Sequence, residues 1–238
     1  MKGSIAGSLL IILLLLSLPI LFVGYLGFIP RISSILGSNQ PRDLGVKATS
    51  ADLDSVNRQN GIAYQKLADN SPSSILYSGQ KDVSVSLTSP EITALANSPK
   101  WKYYLVKDVQ IKINPDGSGE VSGILLLDRL PGYLEAAGLS SELAKTAADA
   151  LHLQGNPPFY FKGMVTVTDN QITLNTQKIE IGRVPIPSKF IIDNQFYLVE
   201  LANARRQSVP GLNIKSLNLS DGKFNFIGTI PQTISWQD

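Results

Sequence analysis

The stretch Val109–Leu125, VQIKINPDGSGEVSGIL, predicts a β-hairpin. Apolar residues alternate with polar ones on both sides of the segment NPDGSG, which is the pattern of two half-buried strands around a turn. Asp and Gly at the centre of that turn tolerate the positive φ angles that tight hairpin turns require. We therefore expect the chain to be built around antiparallel strands.

Two later stretches repeat this hairpin pattern. One runs from Phe161 to Ile181 around a turn at Asp169-Asn170, and the other runs from Ile214 to Gly228 around Ser220-Asp221-Gly222. Consecutive hairpins most simply form an antiparallel meander. Four glycines lie within or at the ends of the strands: Gly123, Gly163, Gly182 and Gly228. Because interior strand glycines usually mark bulges or bends, we expect the sheet to curl around the helix packed in it.

Helices are expected to interrupt the meander. Ser89-Pro90-Glu91 provides a capping residue, a proline at the first helical position and an acidic first turn, which together predict a helix start. Apolar residues at helical spacing predict a long helix from about Ser188 to Arg206, with shorter helices near residues 131–137 and 141–151. The segment Ile181–Pro187, IGRVPIP, predicts an edge or crossover before the long helix, because its two prolines cannot donate to a strand ladder.

The N-terminal segment has the composition of a membrane helix. Residues 3–30 contain no charged side chain, and Ile5–Ile29 exceeds the roughly 20 apolar residues that cross a bilayer's hydrocarbon core. The apolar run is too long for a cleaved signal peptide, and no A-x-A-like pair follows it. Residues 1–30 are therefore expected to be a transmembrane signal anchor that contacts the lipid bilayer through residues 5–29. All of the remaining mass follows the anchor, which favours a single-pass protein of the cell membrane with its C-terminal domain outside the cytoplasm.

Composition divides the rest of the chain into a spacer and a domain. Gly37–Gly45 (GSNQPRDLG) and Asn70–Ser74 (NSPSS) consist of turn and linker residues, so residues 31–80 are predicted to be a spacer or neck with one short helix. Residues 81–238 are predicted to be an antiparallel α+β extracytoplasmic domain. The predicted fold class is thus α+β, with a single N-terminal transmembrane helix followed by a curled antiparallel β-meander packed on one long and one or two short helices.

Charge and composition argue against several kinds of site. The net charge is +2, and the longest Lys/Arg run is the pair Arg205–Arg206, so a basic surface for nucleic acid is not expected. The chain has no cysteine and one histidine, His152, which argues against a zinc site and a serine–histidine pair. Glu135, Glu142 and Asp149 recur every seven residues and are interpreted as a solvated helix face. We therefore assign no catalytic residue, metal ligand or cofactor from the sequence.

Aromatic residues are the remaining candidates for a site. Contiguous exposed apolar surface marks interaction sites, so clustered aromatic side chains could line a groove for a hydrophobic ligand. The candidates are Trp101, Tyr103, Tyr104, Phe159, Phe161 and Phe196. Packing in the core or on a strand face is the alternative for the same residues.

Several motifs resemble those of the YpmS-like family of membrane-anchored envelope proteins. The helix start LTSPEITAL (Leu87–Leu95) is similar to the threonine-led start of that family through Thr88, Glu91 and Leu95. Ser122-Gly123 matches the return strand of its hairpin, and IGRVPIP matches its turn into a helix. The resemblance covers roughly residues 83–230. It implies a fold and an envelope location, and it implies no reaction or catalytic residues.

Three functional hypotheses remain open from the sequence. The first is a non-catalytic module whose curled sheet and long helix enclose an apolar groove for a lipid or another hydrophobic envelope ligand. The second is a structural or accessory envelope protein that acts through contacts with a partner protein. The third is a hydrolase of lipid or glycan, which lacks a recognisable nucleophile–base pair. The first hypothesis is preferred because it uses the strand glycines, the aromatic clusters and the anchor together.

Overall fold

Strands contribute more residues than helices to the described part of the chain. The computed structural model describes residues 19, 21–136 and 155–238, and they form an α+β fold with a curled antiparallel sheet and several helices. The helices are α1 (Pro30–Ile35), α2 (Ser50–Asn60), α3 (Ser89–Asn97), α4 (Leu130–Ala136) and α5 (Ser188–Gln207). The strands are β1 (Ala63–Lys66), β2 (Ile75–Ser78), β3 (Lys81–Thr88), β4 (Val106–Ile113), β5 (Gly119–Leu125), β6 (Pro158–Thr168), β7 (Gln171–Ile181), β8 (Val184–Pro185), β9 (Asn213–Ser220), β10 (Lys223–Ile230) and β11 (Thr233–Trp236).

The larger sheet is a meander joined to a second group of strands through β6. Strands β4 to β8 pair in chain order, each antiparallel to the next. The first half of β6 pairs with β5, whereas its last residues, Val167 and Thr168, pair with β9. Strands β9, β10 and β3 continue the sheet from there. The three predicted hairpins are confirmed, and the antiparallel curl is the observed architecture.

Two of the predicted strand glycines lie at register shifts. The pairing of β6 with β7 shifts between Lys162 and Gly163, and the pairing of β10 with β9 shifts between Ile227 and Gly228. A Cβ atom at Gly163 would lie 2.6 Å from the carbonyl oxygen of Asn175, so the bulge brings two backbones closer than a side chain permits. Bulges increase local twist and bend the strand, which explains why these glycines accompany the curl.

Residues expected to form a spacer belong instead to a second sheet. Strands β1 and β2, from residues 63–78, flank the C-terminal strand β11 in a three-stranded sheet. The pair β1–β11 is parallel, and the pair β11–β2 is antiparallel. Helix α2, capped by Thr49, contacts α3. Each of these strands has only four residues, so apolar alternation is too short to predict them. Their pairing is also distant in sequence, since Ala63 on β1 pairs with Thr233 on β11.

The end of the apolar N-terminal segment packs against an edge of the larger sheet. Residues 21–25 are helical, and the carbonyl oxygen of Gly24 accepts hydrogen bonds from the hydroxyls of Ser33 (2.6 Å) and Ser38 (3.2 Å). Both serines are fully buried. The backbone of Leu26 lies against Gly182 at the end of β7. The chain therefore passes from the apolar segment directly onto the domain.

No helix among the described residues is both long and apolar enough to cross a membrane. Most of the expected anchor, residues 1–18 and 20, lies outside the described residues. The predicted helix at residues 141–151 lies outside them as well. The transmembrane anchor therefore stays a prediction of the sequence.

The predicted edge before the long helix is present. Val184 and Pro185 form β8, a two-residue strand at the outer edge of β7. Helix α5 begins at Ser188, as expected, and continues through Asp193-Asn194 without a break. Arg183, Val184 and Ile186 are all half-buried. Helix α5 packs on β7, where the side chain of Gln195 accepts a hydrogen bond from the N–H of Thr176 (3.2 Å).

Helix α3 takes the place of a further strand beside β4. Its side chains at every fourth position bind backbone groups at every second residue of β4. Ser89 accepts from the N–H of Ile113, Thr93 binds both backbone groups of Ile111, and Asn97 binds both backbone groups of Val109. Four helical residues rise about 6.0 Å and two strand residues rise about 6.6 Å, so the two periods match. The helix thereby closes the edge of β4, which ends the strand order of the larger sheet.

Candidate apolar ligand site

An apolar cavity of about 420 Å³ lies between helix α3, the three-stranded sheet and the C-terminal end of α5. One wall is the apolar face of α3, formed by Ile92, Leu95 and Ala96. The opposite wall comes from the three-stranded sheet and consists of Tyr64, Ile75, Tyr77, Ile234 and Trp236. This arrangement forms because the polar face of α3 binds the edge of β4, so that the apolar face of the helix is directed toward the cavity.

Both tryptophans of the chain line this cavity. Trp101 is only 2% exposed, and its ring packs against Tyr103 at 6.0 Å and Tyr133 at 5.9 Å between ring centroids. The indole N–H of Trp101 is buried and has no hydrogen-bond partner among the described residues. Since a buried indole N–H usually finds a partner, Trp101 offers a donor that the described part of the fold does not use.

One charged side chain reaches the cavity. Arg205, in the last turn of α5, lies within about 6 Å of three aromatic rings, with its Cζ atom 5.8 Å from the ring centroid of Tyr77, 6.0 Å from Trp101 and 5.7 Å from Tyr133. Its guanidinium donates to the hydroxyl of Tyr77 (2.6 Å) and to the hydroxyl of Ser208 (3.0 Å). These contacts fix a cation at the boundary of an otherwise apolar site.

The phenols around the cavity stay neutral. Burial raises the pKa of Tyr104 to about 12, and its hydroxyl donates to the carbonyl oxygen of Ala96 (2.8 Å). Burial also raises the pKa of Tyr77, although Arg205 opposes part of that change. Neither phenol supplies a negative charge to balance Arg205 at neutral pH.

Comparison with known proteins does not assign the chain to a family. The chain matches no family model, no curated protein and no solved structure. The likeness to YpmS-like proteins stays a resemblance of motifs. What the site can bind therefore follows from its walls, its volume and its charge.

Two of the six predicted aromatic residues line the cavity, namely Trp101 and Tyr104. Tyr103 packs beside α4 and borders a more polar depression. Phe159 and Phe161 are half-buried on β6 and are not among the residues of the cavity wall. Phe196 is 67% exposed on α5. The residues that sequence reasoning missed are those of the three-stranded sheet and Arg205, for which the local sequence carries no signal.

A larger depression of about 760 Å³ lies along α2, α3 and the edge of β4. Its wall includes Thr93, Asn97 and Gln110, whose polar atoms already bind backbone groups of the fold. Ligand sites are usually apolar with a few convergent polar groups available to the ligand. The smaller apolar cavity fits that description better.

A polar row crosses the other face of the larger sheet. Gln110, Ser122, Tyr160 and Glu180 occupy paired positions on four neighbouring strands. Glu180 is 4% exposed. Its carboxylate accepts two hydrogen bonds from Arg42 (2.7 and 2.9 Å) and forms an ion pair with Lys178 (2.8 Å). Burial alone would raise the pKa of Glu180, but the bonds from Lys178 and Arg42 outweigh it and lower the pKa.

The polar row holds the segment around Arg42 on the sheet. Gln110 accepts a hydrogen bond from the N–H of Leu44 (2.8 Å), and the guanidinium carbon of Arg42 lies 4.6 Å from the ring centroid of Tyr160. The buried charge of Glu180 is compensated by the two cations Arg42 and Lys178. We interpret the row as structural.

Replacing Glu180 with glutamine is expected to cost about 2 kcal/mol of unfolding free energy at pH 7. Breaking a buried ion pair costs about 3–5 kcal/mol, and the value is lower here because Arg42 and Lys178 are 39% and 47% exposed and can return to water. Chemical denaturation at several pH values measures the effect. The lowered pKa means that the contribution of Glu180 is present above the ordinary value of 4.5 and is lost as the pH falls through the folded-state pKa. The difference in unfolding free energy between the wild type and Glu180→Gln should therefore disappear in acid. A difference that does not change with pH would contradict this prediction.

Among the described residues, no three His, Cys, Asp or Glu side chains group as a metal site. Glu135 lies on α4 at the rim of the polar depression near Tyr103. Glu142, Asp149 and His152, whose clustering with Glu135 would favour a hydrolase, lie outside the described residues. The hydrolase hypothesis gains no support from the described part of the chain.

Proposed function

We propose that this chain is a membrane-anchored, non-catalytic binding module that holds a lipid or similar hydrophobic ligand in the cavity between α3 and the three-stranded sheet. The observation that carries the proposal is the cavity itself, whose walls are almost wholly aliphatic and aromatic. Contiguous apolar surface open to solvent marks interaction sites, so an open apolar cavity of about 420 Å³ is a feature of the fold that a ligand explains.

The volume favours one small apolar ligand. Ligand pockets span about 300–1,000 Å³, and 420 Å³ lies near the lower end of that range. One alkyl chain matches this space better than a complete two-chain phospholipid. The rings of Tyr64 and Trp236, 5.3 Å apart between centroids and inclined at 42°, provide aromatic surface on the sheet side for such a chain.

The uncharged segment of residues 3–30 supports the membrane part of the proposal. Residues 5–25 number about 20, enough for a helix to cross a bilayer before the chain turns at Leu26-Gly27. We propose that the domain lies outside the cytoplasm. Since Leu26 packs against Gly182, the domain would stand directly at the membrane surface, where hydrophobic ligands are concentrated.

Photolabelling tests the proposal on the full chain in phosphatidylcholine nanodiscs. A hexadecanol that carries a diazirine on its chain is expected to label cavity residues such as Leu95 and Ile234. Replacing Ala96 with phenylalanine should reduce this labelling about tenfold, equivalent to about 1.4 kcal/mol, because the new ring occupies the cavity. Ala63→Phe is the matched control, since Ala63 is exposed on β1 and does not line the cavity.

Labelling confined to residues outside the cavity would contradict the proposal. Equal labelling of the Ala96→Phe variant and the wild type would contradict it too. Thermal unfolding of both variants checks that the inserted ring has not disrupted the domain.

A further inference from the structure

The charge of Arg205 has no counter-ion in the described part of the fold. The ion pairs formed by residues 21–136 and 155–238 involve other cations, and none places a carboxylate within 4.0 Å of Arg205. Three aromatic rings surround the guanidinium. Cation–π contacts attract a cation to a ring face, but they do not neutralise its charge. A fixed cation beside an apolar cavity is therefore best balanced by an anion.

The guanidinium also keeps donors for such an anion. Arginine has five N–H donors. Two of them bind Tyr77 and Ser208, which leaves three without a hydrogen-bond partner among the described residues. These two bonds hold the planar group in one orientation, so the remaining donors are preorganised.

We propose that the ligand of the cavity is a single-chain anionic amphiphile, with its anionic head bound by Arg205 and its alkyl chain inside the cavity. This inference rests on the proposed function and specifies its ligand class. A carboxylate or a phosphate monoester satisfies the same chemistry, because both accept paired hydrogen bonds from the guanidinium fork. The volume of about 420 Å³ selects one chain, and the apolar walls select a head that stays at the Arg205 end.

Competition on the wild-type chain tests the ligand class. The diazirine-hexadecanol label is displaced in nanodiscs by unlabelled hexadecanoate, hexadecyl phosphate or hexadecanol at a pH where both anions are ionised. At least one anion is expected to compete at a concentration tenfold or more below that of hexadecanol. The anion that displaces the label at the lower concentration shows whether the site prefers a fatty-acid carboxylate or a phosphate head. Equal competition by all three would overturn the anionic head while leaving the proposed function intact, and an absence of specific labelling in the cavity would overturn both.

Variants locate the head. In Arg205→Gln, the preference for the anion over hexadecanol should fall to about twofold or less. Arg206→Gln is the matched control, because it removes the same charge from the adjacent residue, which does not line the cavity, and it should keep the wild-type preference. A tenfold preference that survives in Arg205→Gln would overturn the assignment of Arg205. A preference lost equally in both variants would attribute it to net charge and would also overturn the assignment.

Discussion

A Thr93→Val variant is expected to unfold with about 3 kcal/mol less free energy than the wild type. Thr93 is 2% exposed, and its hydroxyl accepts from the N–H of Ile111 (2.9 Å) and donates to the carbonyl oxygen of the same residue (3.2 Å). Valine keeps the shape and removes both bonds. Each buried backbone group left without a partner costs about 1–3 kcal/mol, and β4 has no neighbouring strand on this side to replace the lost partner.

Thr93→Ser is the matched control for this substitution. Serine keeps the hydroxyl and loses only a methyl group, which costs about 1 kcal/mol. In thermal unfolding, the melting temperature should be lower than that of the wild type by about 6–12 °C for the valine variant and by about 2–4 °C for the serine variant. A serine variant less stable than the valine variant would show that packing of the methyl group, and not closure of the strand edge, is what Thr93 provides.

A Gly182→Val variant is also expected to lose about 3 kcal/mol of stability. Gly182 has a φ angle of 62°, and a β-branched residue in this left-handed region costs about 1–2 kcal/mol. A Cβ atom there would lie 2.6 Å from backbone atoms of Leu26 and Tyr25. Backbone cannot swing aside as a side chain does, so the sheet edge and the end of the N-terminal segment must separate at a further cost of about 1–3 kcal/mol.

Gly45→Val separates the two contributions. Gly45 has a similar φ angle of 73°, and a Cβ atom there would meet nothing within 4 Å. The Gly45 variant therefore bears the conformational cost alone, and denaturant unfolding of the full chain should show a loss of about 1–2 kcal/mol. If both variants lose the same amount, the contact between Gly182 and Leu26 contributes nothing to stability.

Local signals predicted most of the elements that surround the site. Alternating apolar residues and turns such as Asp169-Asn170, whose φ angles are 46° and 66°, give each hairpin without reference to the rest of the chain. The start of α3 was equally local, although the cap is Thr88, which forms a capping box with Glu91, and not Ser89. The bulges at Gly163 and Gly228 were predictable because a glycine inside a strand weakens pairing and usually marks a bulge or a bend.

The candidate site was less readable, because its parts are distant in sequence and carry no local pattern. Ser89, Thr93 and Asn97 form a polar stripe that would ordinarily indicate a solvated helix face, yet the stripe binds the edge of β4. Arg205 is one of two adjacent arginines near a helix end, where basic residues are common for reasons of the helix dipole. Nothing in either segment indicates a cavity.

The sequence by itself determined the hairpins, the helix starts and the uncharged N-terminal segment, because each depends on neighbours within about one turn or one strand. Only the tertiary structure decided which surfaces meet. It brought Tyr77, Trp101 and Tyr133 around Arg205 and joined β1 and β2 to the C-terminal strand. The physical reason is that such contacts depend on the closure of long loops and on the shape left between packed elements, neither of which leaves a periodic trace in the chain.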